Sequence, residues 1–270
     1  MNKRNANLSF SYVNDALHSD TSNKRKVIRM TTDGFYMAIV SEENGLEQLF
    51  QYSFLSDLSF KDKIAAITDV EKEKNIPCAN NLFRLYTKYN VQIPEDFHDE
   101  SKNEVILSVM VNQHEQYIPF EEKVDKWQLY NVSAWEKELY VEVKNQLSNY
   151  SLSTVATSLL NIIAKQQKET NALVFVEHNH FTVVAIDKQK LTGMNTFPFY
   201  TEKDFLYYCY AFLRKRIVDI NSLSLRLCGN IAKQSSLYNA ISKYCQDVDM
   251  LSNEGNAINS NYSYYCDLFE

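Results

Sequence analysis

The chain has 270 residues, with 28 Lys and Arg against 34 Asp and Glu, and its net charge of −6 disfavours nucleic acid and anionic membranes. With 5 Gly and 4 Pro beside 18 Tyr and 15 Phe, it is neither collagen-like nor low-complexity, and its length suits one large core or two modest ones. Cys78, Cys209, Cys228, Cys245 and Cys266 are scattered and odd in number, which argues against a disulfide framework or a zinc ribbon and fits free thiols in a reducing compartment.

Residues 1–26 read as a polar arm, in which "LSFSYV" offers an edge strand. The opening "MNKRNANLSF" lacks the apolar stretch of a signal peptide, and no apolar run is long enough to span a bilayer, so a cytoplasmic protein without membrane insertion is expected. The basic cluster Lys24-Arg25-Lys26 reads as a solvated flank of the first strand. Val27–Met30 is that strand, "TTDG" a loop, Phe35–Val40 a second strand, "SEENG" a turn and Leu46–Phe54 a third. Ser59 then opens a helix in which Phe60, Ile64, Ile67 and Val70 recur at helical spacing.

More pieces follow: "LFRLYTKYNVQIP", an acidic helix from Glu95 to about Val111, the strand "QLYNVSAW", the strand "YSLSTV" and the helix "ATSLLNIIAKQQK" with Leu159, Leu160, Ile162 and Ile163 inward. Near the middle the first pattern returns. Ala172–Val176 is a strand, "EHNH" a loop, Phe181–Ile186 a strand, "DKQK" a turn and Leu191–Phe199 a third strand. Thr201 and Asp204 have the spacing of a capping box, opening a helix with Phe205, Cys209, Phe212 and Leu213 on one side. The strand "SLSLRLC", Gly229-Asn230, the helix "SSLYNAISKYCQ" and the strand "VDML" complete the set. Phe35 and Phe181 hold the same place in the two copies, 146 residues apart, and the order and approximate lengths of the elements match. The reading is an internal duplication of a strand–strand–strand–helix unit within an α/β chain. The segments are an arm at 1–26, a first half at 27–170, a second half at 171–252 and a tail at 253–270 that reads as poorly ordered with a few aromatic anchors.

The stretches "IRMTTDGFYMAIV", "ALVFVEHNHFTVVAIDKQKL", "FPFYTEKDFLYYCYAFL" and "LSLRLCGNI" resemble the actin-like ATPase superfamily, which includes actin, the Hsp70 ATPase domain and the sugar kinases. The closer likeness is to an uncharacterised bacterial family of unknown function with an actin-like ATPase fold. The resemblance implies a duplicated actin-like, ribonuclease H-like α/β fold, each half a three-stranded meander followed by helices and further strands. It also implies a D-x-G at the first hairpin of each half, where Asp holds magnesium and Gly admits backbone N–H groups to phosphate. Here Thr31 stands at the Asp position, Asp33 at the Gly position, and Gly34 one residue late. In the second copy Glu177 stands near the Asp position, followed by His178, Asn179 and His180 with no Gly. A Gly pair expected near adenosine is reduced to Gly229, followed by Asn230.

His178-x-His180 has a spacing that can bind metal, with Glu177 adjacent but no third ligand evident, and a polar hairpin loop is the favoured reading. Walker-type, nucleophile-elbow and H-E-x-x-H motifs are absent. The favoured function is therefore a degenerate, non-hydrolysing nucleotide-binding fold acting as a scaffold or protein-interaction module with a protein partner. The alternative is an active Mg-dependent ATPase or small-molecule kinase, with Asp33 and Glu177 on the metal and Gly34 and Gly229 near ATP.

Overall fold

The computed structural model describes residues 5–13, 23–41, 45–55, 58–112, 116–166, 168–252 and 262–270. Arm residues 1–4 and 14–22, the centre of the turn after Ser41 and tail residues 253–261 lie outside them. The first meander is β2 (Lys24–Met30), β3 (Gly34–Ser41) and β4 (Gly45–Phe54). The arm strand β1 (Ala6–Val13) pairs antiparallel with β4 at the sheet edge, as the edge-strand reading expects. Helix α1 (Phe60–Lys74) follows, capped by Ser59, whose hydroxyl accepts from the Asp62 N–H. Strands β5 (Asn80–Leu85) and β9 (Ser151–Thr154) complete the sheet in the order β1-β4-β3-β2-β5-β9.

The second meander is β10 (Asn171–Glu177), β11 (His180–Asp187) and β12 (Lys190–Pro198). It is followed by α5 (Glu202–Arg216), β13 (Ser224–Gly229), α6 (Ser236–Ile241) and β14 (Asp247–Met250). Its sheet order is β12-β11-β10-β13-β14. Without the edge strand β1, both sheets obey one rule. An antiparallel meander leads, and two strands parallel to its first strand are added beside it. The capping box at Thr201 and Asp204 forms in full.

The first sheet carries an insertion that the second lacks. Between β5 and β9 lie β6 (Asn90–Pro94), β7 (Tyr117–Val124) and β8 (Leu129–Glu136), which form a separate sheet in the order β6-β8-β7. The acidic helix expected from Glu95 to Val111 is broken into 3₁₀ turns at Glu95–Phe97 and Glu100–Lys102 and a short α2 (Asn103–Ser108). The cause is local. The Asp99 side chain takes both the backbone N–H and the hydroxyl of Ser101, a turn that competes with continuous helix. The insertion is anchored by Glu122 of β7, whose carboxylate accepts from the Thr154 N–H and from the Thr154 and Thr157 hydroxyls at the start of α4 (Val155–Ala164).

Every residue of β3 is buried, because both faces of its sheet are covered. Phe35 and Met37 face α1 and α3 (Lys137–Gln146), while Tyr36, Ala38 and Val40 face the other way, as strand alternation requires. On the second sheet one face packs on α5 and α6, and Phe205, Cys209, Phe212 and Leu213 are all buried there. The opposite face takes α4, with Leu159, Leu160, Ile162 and Ile163 against Leu173, Phe175, Val184 and Ile186. No helix among the described residues is long and apolar enough to cross a membrane.

Two sequence expectations are corrected by packing. The tail reads as loose, yet residues 262–270 form a helical turn whose Tyr264, Tyr265, Leu268 and Phe269 cover the inner face of the first sheet. Its Asp267, fully buried, accepts from Arg29 of β2 at 2.5 Å. The cluster Lys24-Arg25-Lys26 is not a solvated flank but part of β2. Lys24 pairs with Glu47, Lys26 with Glu71, and Arg25 donates to the carbonyls of Phe269 and Glu270. Truncating one partner of a buried ion pair strands the other. Asp267→Ala is expected to cost about 3–5 kcal/mol of stability, measured by urea denaturation.

Candidate functional site

The β2–β3 hairpin and the β10–β11 hairpin, equivalent in the two meanders, meet at one cleft. Thr31, Thr32 and Asp33 on one side and Glu177, His178, Asn179 and His180 on the other line a cavity of about 450 Å³. Its walls are completed by Tyr86, Thr87, Lys88 and Tyr89 after β5, Lys63 of α1, and Tyr117 and Glu136 of the insertion. Thus five of the eight candidate residues from the sequence, Thr31, Asp33, Glu177, His178 and His180, come together. Gly34 opens β3 beside them. Gly229 and Asn230 end β13 and do not line the cavity.

Each hairpin is closed by its own bonds. The Thr31 N–H donates to the Gly34 carbonyl at 3.0 Å, and the Thr31 hydroxyl turns inward to the Gly34 carbonyl and the Asp33 carboxylate. Lys63 donates to the Thr32 carbonyl at 3.1 Å. In the second hairpin Glu177 pairs with His180 across a two-residue turn, with His178 at φ 44° in the left-handed region. The loops are bridged directly. His178 Nε2 lies 2.9 Å from Asp33 Oδ2, although both side chains are more than half exposed, at 56% and 59%. A pair that exposed contributes little stability. What it does is occupy the Asp33 carboxylate.

Beneath the bridge lies a buried row of charge. Arg29 Nη2 is 3.9 Å from Glu177 Oε2, Nη1 bonds Asp267, and the guanidinium stacks 4.3 Å from the Tyr36 ring centre. Burial opposes the Arg29 charge, but Asp267 and Glu177 more than offset it, and its pKa is raised. Burial pushes the Glu177 carboxyl up, with the positive Arg29 working against the rise and Asp267 adding to it. Burial, with the charge of Lys88, holds the His180 ring below its ordinary value.

The fit of Mg-ATP rests on the glycines and the carboxylates. A Cβ built at Gly34 would lie 2.1 Å from the Tyr52 carbonyl oxygen, so this glycine is required by the neighbouring strand. Gly229 sits at φ +81°, where a Cβ would lie 2.2 Å from the Val176 carbonyl oxygen, and Asn230 N–H donates to that same oxygen at 2.7 Å. Both glycines are used in strand packing, Asp33 is paired with His178, and Glu177 faces Arg29. The D-x-G that the resemblance implies at the first hairpin of each half is present in neither. Among the described residues no group of three or more His, Cys, Asp or Glu is placed to hold a metal ion.

Sequence reasoning missed Arg29, Asp267 and the "YTKY" loop at 86–89. Arg29 carried one signal, a cation inside the apolar run Val27–Met30. Asp267 carried none, because its partner is 238 residues away.

The model of the family described as a protein of unknown function, DUF3822, matches residues 14–248. The chain belongs to the DUF3822 family. No curated protein matches it. A Bacteroides thetaiotaomicron protein with an actin-like ATPase fold and unknown function is 19% identical, with a TM-score of 0.73 over 88% of this chain and 94% of that one. The ethanolamine utilization protein EutJ from Carboxydothermus hydrogenoformans is 9% identical, with a TM-score of 0.53 over 96% and 93%. The PilM–PilN type IV pilus biogenesis complex contains a chain 11% identical, with a TM-score of 0.57 over 92% and 98%. At these identities the likeness shows the fold alone, and that fold is the actin-like ATPase fold.

Two measurements test the roles assigned above. Because folding raises the Glu177 pKa, the folded chain holds that proton more tightly than the unfolded one. Its stabilising effect is full below the ordinary glutamate value of about 4.3 and is lost as pH rises through the raised value. Glu177→Gln is therefore expected to flatten the fall in stability from pH 4.5 upward, followed by urea denaturation across pH. Gly229→Ala places a side chain at positive φ against a backbone carbonyl, and is expected to destabilise by about 2 kcal/mol or more in thermal unfolding.

Proposed function

We propose that this chain is an internally duplicated actin-like protein, with halves at 27–170 and 171–252, that does not hydrolyse nucleotide and works as a scaffold or protein-interaction module. The observation that carries this reading is the Asp33–His178 bridge, which joins the two hairpins at the point where the resemblance implies magnesium and phosphate. The packed glycines support it, since Gly34 and Gly229 each accommodate a neighbouring strand carbonyl and the Asn230 N–H donates to Val176. Phosphoryl transfer depends on positioned charge, and loss of even one stabilising donor commonly costs about 10²–10³ in rate.

A partner protein would meet a surface already furnished for contact. Tyr200, Tyr207 and Tyr244 on and around α5 and α6 are 82%, 69% and 54% exposed, and Tyr is enriched in protein interfaces. The similarity to a chain of the PilM–PilN complex is consistent with a role in an assembly. The net charge of −6 favours a protein over nucleic acid as that partner.

Calorimetry with Mg-ATP and Mg-ADP, paired with a phosphate-release assay, tests this. The expected result is no micromolar binding and no steady turnover. Micromolar binding with steady hydrolysis would overturn it in favour of an ATPase or small-molecule kinase, since Asp33 and Glu177 do share a cavity with Lys63 and Lys88. Binding without hydrolysis would keep the non-hydrolysing reading and make the cleft a nucleotide sensor.

A further inference from the structure

The three sheets have six edge strands among the described residues, and five of them are guarded against further pairing. β9 is only four residues long, and Glu122 takes its Thr154 N–H. β12 is bounded by Lys190 and Pro198, and Arg216 donates to its Thr192 carbonyl. β14 carries Asp247 and Asp249, paired with Lys168, Arg226 and Lys233. β6 ends on Pro94, and β7 holds Pro119 and the run Glu121-Glu122-Lys123.

β1 has no such guard. Residues 5–13 contain no charge and no Pro, and Leu8, Phe10 and Val13 are 50%, 42% and 47% exposed. One bulge, at Ser9, interrupts the strand, and the Ser9 hydroxyl donates to the Gln51 carbonyl. Beyond the bulge, Phe10, Ser11, Tyr12 and Val13 pair with β4 in regular register. On its other side β1 ends the sheet, so a row of backbone N–H and C=O groups faces outward.

We infer that β1 is the contact strand of a homodimer, in which the β1 strands of two copies pair antiparallel about a two-fold axis and join two six-stranded sheets into one. Selection of a different protein at a strand edge draws on complementary charge, and β1 has none to offer. A second copy needs none. Each chain carries a net charge of −6, yet at this edge no like charges come opposite each other. One two-fold operation also covers both exposed edges at once. Opposite residues on antiparallel strands share a face. A two-fold axis normal to the sheet at Ser11 therefore sets Phe10 opposite Tyr12 of the second copy, twice over. Aromatic cross-strand pairs of this kind stabilise a sheet, and Tyr12 already packs against the cluster around Leu49. The inference is independent of the cleft and of what the cleft binds.

Sedimentation velocity of the full chain from about 1 to 100 µM tests it, because a dimer must dissociate on dilution. The expected result is a monomer–dimer equilibrium, with amide exchange at residues 10–13 slowing as concentration rises. Phe10→Lys and Ser11→Lys, made separately at exposed positions, should each weaken the dimer about tenfold or more, with the unfolding temperature of the dilute monomer unchanged. Val109→Lys, on the 87% exposed valine after α2, should leave the dimer intact. Ser11→Glu alone should also be monomeric, and mixing it with Ser11→Lys should restore a dimer, since opposite charges then meet across the axis. A monomer at every concentration would overturn the proposal. So would a dimer that both lysine variants leave intact, or one without added protection at residues 10–13. Failure of the Glu and Lys variants to pair would overturn the placement of Ser11 on the axis.

Discussion

The buried contact between Arg29 and Asp267 is the constraint on which the rest of the structure depends. A guanidinium inside a sheet is costly unless its charge is met, and the nearest fully buried carboxylate comes from the other end of the chain. That requirement draws in the C-terminal segment, and the segment then supplies the apolar cover that the inner face of the first sheet would otherwise lack. Tyr264, Tyr265, Leu268 and Phe269 close over Val27, Tyr36, Ala38 and Val40. The second sheet solves the equivalent problem differently, with α4 laid over Leu173, Phe175, Val184 and Ile186. The two sheets share a topology but not a way of covering their inner faces.

The shared topology also explains why the hairpins meet while their chemistry differs. A meander with two added parallel strands puts the first turn of each sheet at the same end of its strands. Two such sheets facing each other bring those turns together whatever residues they hold. Geometry is therefore inherited with the fold, whereas phosphate binding needs specific atoms at the turns. In this chain the residues at those turns have other neighbours. Gly34 accommodates the Tyr52 carbonyl, Gly229 accommodates the Val176 carbonyl, and Asp33 meets His178.

The sequence made the local and periodic features legible. Short apolar runs bounded by polar turns identified β3 and β11, helical spacing identified α1 and α5, and Thr201 with Asp204 marked a helix start to the residue. It also marked both hairpin turns as one kind of place, and those turns do share a cavity. What escaped were interactions between residues distant in sequence and competition within a turn. Strand β7 contains Pro119 and the charged run Glu121-Glu122-Lys123, so its pattern is weak until β8 lies beside it. Asp99 broke a plausible helix with a single side chain. The tail is mostly polar with a few aromatics, and Arg25 and Arg29 of β2, far away in sequence, hold its end in place.

Glu177 joins these threads. It ends β10, so its carboxylate belongs to the cleft, yet its charge faces Arg29, whose stronger partner is Asp267. The guanidinium stands between a cleft carboxylate and a tail carboxylate, with Asp267 in hydrogen-bonding contact and Glu177 at 3.9 Å. The shorter pair is the stronger one, so the seating of the chain's end rests chiefly on Asp267.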